Sequence, residues 1–118
     1  MPIKNFYETE YITAPNHGGE GLARMSSVYR RAELDSPLSF INYTVLPPGA
    51  SIGIHTHRDD EEVYVILEGT GIMEVDGAKI PVKAGDTVLN KPFGSHALYN
   101  GPGGDMRVLI FEAAKRNI

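Results

Sequence analysis

Three histidines and one glutamate carry the chemistry available to this chain. His55 and His57 stand two apart in the segment Ser51-Ile52-Gly53-Ile54-His55-Thr56-His57. In an extended strand, residues i and i+2 project from the same face, so both imidazoles can reach one ion. Glu62 follows a short polar turn and opens the apolar run Val63-Tyr64-Val65-Ile66-Leu67; His96 arrives between two further strand-like segments. Three neutral imidazoles and a carboxylate form a nitrogen and oxygen donor set for one divalent transition metal, with manganese, iron, nickel and zinc all admissible. Calcium and magnesium prefer all-oxygen sites. The chain has no cysteine, so thiolate ligands and disulfides are excluded.

Four protein donors leave an octahedral ion room for a bidentate carboxylate, a hydroxy acid or a diol, or for substrate plus dioxygen or water. The metal would polarise the bound oxygen as a Lewis acid. Glu61 is the alternative carboxylate within the acidic run Asp59-Asp60-Glu61-Glu62, whose first two members read as a solvated turn. Strand alternation favours Glu62 and sets it on one face with Tyr64 and Ile66. Tyr64 is therefore a candidate substrate contact. Arg107 is the other, because an inward guanidinium can grip a carboxylate through two hydrogen bonds; its direction depends on a strand parity the sequence leaves open. Phe40, Tyr43, Phe93, Leu98 and Phe111 divide between cavity wall and core. No residue declares itself as a catalytic acid or base. His17, in Asn16-His17-Gly18-Gly19-Glu20-Gly21, lacks the Lys-Ser/Thr of a phosphate loop and reads as a surface turn, with a substrate lid as the alternative.

The elements that must position these residues are strands. Thirteen glycines and eight prolines punctuate short apolar runs, the pattern of an all-β sandwich or barrel. The predicted strands are Leu38 to Leu46, Ser51 to His57, Glu62 to Leu67, Gly71 to Val75, Lys79 to Val82, Thr87 to Asn90, His96 to Tyr99 and Met106 to Glu112. Pro47-Pro48-Gly49 and Asp76-Gly77 are turn signals, the second marking a tight hairpin. Leu22, Met25, Tyr29 and Ala32 follow a helical spacing, but the residues between them are weak helix formers. A strand from Ala23 to Arg30, followed by a helical turn at Arg31 to Asp35, is the expectation there.

At 118 residues the chain is one domain, and 42% hydrophobic with 22% charged residues is a globular composition. A net charge of −4 argues against nucleic acid, whose phosphates demand a basic footprint. The longest clean apolar run is far below the ~20 residues of a membrane span. Met1 to Asn5 lacks the start of a signal peptide. With no cysteine, these features lead to the expectation of a soluble, cytoplasmic protein.

The segment from Gly49 through His55-Thr56-His57 and Glu62 to Gly69 resembles the first signature of the cupin superfamily: Gly, five residues, His-x-His, a short gap, Glu, six residues, Gly. Gly85, Pro92-Phe93-Gly94-Ser95-His96 and Asn100 resemble the second signature. There, Lys91 and Phe93 stand where that pattern has Pro and Gly. The resemblance implies a small jelly-roll β-barrel (a double-stranded β-helix) with a ligand cavity and a metal near its mouth, held by His55, His57, Glu62 and His96. It implies a barrel core over about 38–113, with N-terminal strands and a loop over 1–37, and a homodimer. The function expected is that of a metalloenzyme acting on a small carboxylate, hydroxy acid or sugar-type metabolite. Decarboxylase, dioxygenase and isomerase or lyase chemistry are all open. The alternative is a non-catalytic, metal-dependent module that binds a small molecule.

Overall fold

The computed structural model describes residues 3–115. Its ten strands are β1 (Ile12–Ala14), β2 (Ala23–Arg30), β3 (Leu38–Leu46), β4 (Ser51–Thr56), β5 (Asp60–Glu68), β6 (Thr70–Val75), β7 (Ala78–Lys83), β8 (Thr87–Asn90), β9 (Ser95–Asn100) and β10 (Met106–Ala114). A 3-10 turn, Arg31–Glu33, follows β2. One sheet has the order β1-β2-β3-β10-β5-β8 and the other β4-β9-β6-β7. All pairings within them are antiparallel. The two sheets are not joined into a closed barrel. They face one another as a jelly roll, and from β3 onward the chain passes from one sheet to the other at every connection except the β6–β7 hairpin.

Alternation decides what each strand buries. Tyr64 and Ile66 of β5, Val108 and Ile110 of β10, Met73 of β6 and Leu98 of β9 meet between the sheets in one apolar core. The opposite face of the larger sheet has its own small cluster, in which Val28, Tyr43 and Val45 are covered by Phe6 and Tyr11. Phe6 stacks on Tyr43 with ring centroids 4.1 Å apart. Further along that face, Val63, Val65, Leu109 and Phe111 remain half-buried.

The Asp76-Gly77 hairpin forms as expected. Asp76 and Gly77 take φ 48° and 85°, and Val75 pairs with Ala78; two consecutive positive φ angles define the turn whose twist suits a two-residue hairpin. The helical spacing around Met25 and Tyr29 also has a cause. The β2–β3 register shifts between Ser27 and Tyr29, and such a bulge breaks the two-residue period. β1, only three residues long, lies in the N-terminal region where strands were expected without stated bounds. Among the described residues no helix is long and apolar enough to cross a membrane.

Candidate metal centre

β4 brings His55 inward by means of a bulge, and His57 follows just past its end. Ile52 pairs with Leu98 and His55 with His96, so β4 carries one more residue than β9 between these pairs. The shift lets Ile52 and His55 both face the interior while Ile54 is turned out to solvent. β5 supplies Glu62 on the same face as Tyr64, and β9 supplies His96; both are buried. His55, His57, Glu62 and His96 each place one donor atom within 4.8 Å of the others. Glu62 Oε1 lies 2.8 Å from His96 Nε2, 3.2 Å from His57 Nε2 and 3.7 Å from His55 Nε2. Neighbouring ligands on an ion with bonds of ~2.1 Å stand roughly 3 Å apart, so these separations suit a common centre.

The imidazoles are oriented from behind. His55 Nδ1 lies 2.8 Å from the Gly53 carbonyl oxygen, and His57 Nδ1 lies 2.8 Å from Asp60 Oδ1. An Nδ1–H donating to each acceptor leaves Nε2 as the lone-pair atom of a neutral ring. Both Nε2 atoms are buried without a hydrogen-bond partner among the described residues. Buried polar atoms are rarely left so, and two unpartnered imidazole nitrogens facing a carboxylate fit a divalent transition metal.

The charges agree. Burial works against ionised Glu62, but His55, His96 and His57 outweigh it and hold its carboxyl down at about 2. Burial likewise disfavours charged His55, yet Glu62 and the Gly53 carbonyl raise its pKa. Burial and the neighbouring imidazoles lower that of His96. Tyr64 is buried edge-on to His96, at 5.2 Å between centroids. Burial and the Glu62 charge push its phenol well above its ordinary value, so it stays a neutral donor.

Glu61 pairs with Ala113 on the opposite side of β5 and does not join the cluster. Nor does Arg107. It pairs with Val45, hydrogen-bonds the Tyr43 hydroxyl at 2.8 Å and forms an ion pair with Glu68, all on the sheet's outer side. Among the other aromatic candidates, Phe40 packs against the inner core, Tyr43 belongs to the outer cluster and Phe93 is exposed. Asn100 is a strand-end residue whose amide donates to the Leu46 and Gly104 carbonyls.

Several site residues escaped the sequence reading. Asp60 is an orienting carboxylate rather than a solvated one, and its place three residues after His57 was the available signal. Glu112 sits opposite Glu62 on β10, with Oε1 3.2 Å from His57 Nδ1. Burial and the charges of Asp60 and Glu62 raise its carboxyl to about 7. His17 stacks flat on His55, with centroids 3.7 Å apart. Its loop is sewn to β4: Gly53 N–H donates to the Asn16 carbonyl and Ser51 N–H to that of Glu20, both at 2.9 Å. A Cβ on Gly53 would come within 2.1 Å of the His17 carbonyl oxygen, so only glycine allows this approach. The loop flanks the site as a fixed wall.

Known proteins carry the same architecture. A family model described as a cupin domain matches residues 42–112. An oxalate-binding protein of Thermotoga maritima is 32% identical over 92 residues, covering 78% of this chain and 76% of that protein. The crystal structure of a predicted oxalate decarboxylase, also from Thermotoga maritima, superposes with a TM-score of 0.92 at 26% identity, covering 96% of this chain and 99% of the other. A polyketide cyclase of Streptomyces resistomycificus shares the fold alone, with a TM-score of 0.79 at 17% identity, covering 100% of this chain and 82% of its own. With the jelly roll, the inward His and Glu cluster and these matches together, the chain belongs to the cupin family.

Proposed function

We propose that this cupin holds one divalent transition metal on His55, His57, Glu62 and His96, and acts as a metalloenzyme on a small carboxylate of the oxalate kind. The observation that carries the reading is the pair of buried, unpartnered Nε2 atoms of His55 and His57 facing an ionised Glu62. Bound there, the ion supplies Lewis acidity and an anchor for carboxylate oxygens. The chain's own residues do the rest. Gly53 and Asp60 aim the imidazoles, and Tyr64 offers a neutral phenol on the inner face beside an anionic ligand. Ile66, Val108 and Leu98 keep the interior apolar, which strengthens each polar contact made within it. The Thermotoga maritima relatives, one oxalate-binding and one a predicted oxalate decarboxylase, direct the choice towards a dicarboxylate.

The test begins with metal analysis of protein purified without chelator or histidine tag, where about one equivalent per chain is expected. Oxalate consumption is then followed with manganese, iron, nickel or zinc, with and without oxygen. The name of the oxalate-binding relative favours a second reading, metal-dependent binding without turnover. Thermal stabilisation by oxalate with no consumption under any of these conditions decides for binding. Stabilisation that persists after the metal is stripped refutes both readings, because the walls rather than the ion would then recognise the ligand.

A further inference from the structure

Asn90, the last residue of β8, is 2% exposed, and neither Oδ1 nor Nδ2 of its amide has a hydrogen-bond partner among the described residues. A buried amide left in this state costs free energy on folding that an apolar side chain of similar size would not. Its position is specific. Asn90 pairs directly with Glu62 across the β5–β8 ladder, and Val88 pairs with Tyr64. Directly opposed residues project from the same face with Cβ atoms roughly 4.5–5.5 Å apart. The free amide therefore belongs to the same inner wall as the metal-site carboxylate and the Tyr64 phenol. Asn100, at 8% exposed, is also buried, yet its amide has two carbonyl partners. Burial alone does not leave an asparagine unpartnered in this fold.

We propose that Asn90 is a second anchoring point for the ligand: its amide N–H groups donate to the carboxylate oxygens of a small dicarboxylate held at the His and Glu cluster. This rests on the proposed metal-dependent carboxylate site and adds a specificity element to it. A dicarboxylate can satisfy the ion with one set of oxygens and reach the amide with another. A monocarboxylate is left with fewer acceptors for Asn90. The neighbouring Glu62 hydrogen-bonds His96 through Oε1, and the Asn90 amide makes no hydrogen bond to it.

The experiment uses metal-loaded wild type with Asn90→Leu and Asn90→Ser, titrated calorimetrically with oxalate and with acetate, and with metal content measured in parallel. Asn90→Leu should keep full metal content and be at least as thermally stable without ligand, since it removes an unpartnered amide. Its oxalate affinity should fall roughly ten-fold or more, the scale of losing a hydrogen bond to a charged group, while acetate affinity changes little. Asn90→Ser, which keeps a short donor, should fall between the two and also serves if the leucine variant fails to fold. Unchanged oxalate affinity in metal-replete variants would overturn the role of Asn90 and leave the metal-site reading standing. Equal losses for oxalate and acetate would also overturn it, showing a general disturbance of the site. Absence of oxalate binding by metal-loaded wild type would overturn the carboxylate reading itself, and the inference with it.

Discussion

His57 Nδ1 lies 2.8 Å from Asp60 Oδ1, so a carboxylate at the start of β5 fixes the ring of a histidine just past the end of β4. Glu112 approaches the same nitrogen at 3.2 Å. A carboxylate in the place of Asp60 holds a ligating imidazole in one tautomer and raises its basicity, and its loss typically lowers metal affinity by about 10–100-fold. Asp60→Ala should weaken metal binding by that order in a competition titration against a chelator. Asp60→Asn, which keeps an acceptor, should recover part of the loss. Equal affinity in the alanine variant and wild type would show that His57 needs no such support.

The choice between adjacent glutamates gives a sharper contrast. Glu62 faces the imidazoles and Glu61 lies across the strand from them. Glu62→Gln should lose most of the metal, whereas Glu61→Gln should retain wild-type content under the same purification. His55→Ala together with His57→Ala should abolish stoichiometric metal while the far-ultraviolet dichroism remains that of a β protein. Full occupancy in that double variant, or the reverse order for the two glutamates, would displace the site.

Stability of the metal-free protein should depend on pH with opposite signs at two carboxyls. Glu112, raised to about 7, keeps a proton in the native state that the unfolded chain releases above its ordinary carboxylate value. Its contribution is full at low pH and is lost as pH rises through about 7. Glu62, held at about 2, contributes above the ordinary carboxylate range and loses that contribution as pH falls towards 2. Urea melts in chelator should therefore show Glu112→Gln gaining on wild type between roughly pH 5 and 7.5, by on the order of 1 kcal/mol once solvent screening of this part-exposed carboxyl is allowed for. A variant that loses ground over that interval would contradict the assignment.

Much of the fold was legible because turn chemistry and alternation agree. The span read as Leu38 to Leu46 is β3 itself, and Thr87 to Asn90 is β8. In the candidate metal cluster, His55 and His57 were paired by their local i,i+2 spacing, Glu62 was chosen by strand alternation together with motif spacing, and His96 was reached only through the cupin resemblance. What stayed hidden depends on which strands become neighbours. Glu112 and Asn90 matter only because β10 and β8 flank β5 and set both residues opposite Glu62. Arg107 could not be oriented in advance, because a register shift between Arg107 and Val108 adjusts the parity of β10 against β5. Phe93 shows the limit of motif spacing. It stands where the cupin pattern has glycine and adopts φ 63°, so the backbone keeps the turn that glycine would make, with a side chain in the left-handed region.

Assembly follows from the outer face of the larger sheet. Phe6 and Tyr11 cover only its Tyr43 side. Beyond them, Val63 and Val65 of β5 lie beside Leu109 and Phe111 of β10, half-buried, with Leu67 and Leu89 exposed at the margin. A contiguous apolar face on a protein of this size invites a partner, and the edge strand β8 needs protection from indiscriminate pairing. A second copy of the chain would answer both needs through a two-fold interface, and a homodimer is the expected state. Light scattering at micromolar concentration should give twice the 12.9 kDa chain mass, about 26 kDa. Val65→Lys, which places a charge at the centre of that face, should return the protein to the monomer mass while leaving its metal content intact, because Val65 points away from the cluster. A wild type that stays monomeric across that range would refute the dimer. A Val65→Lys dimer would move the interface to another surface.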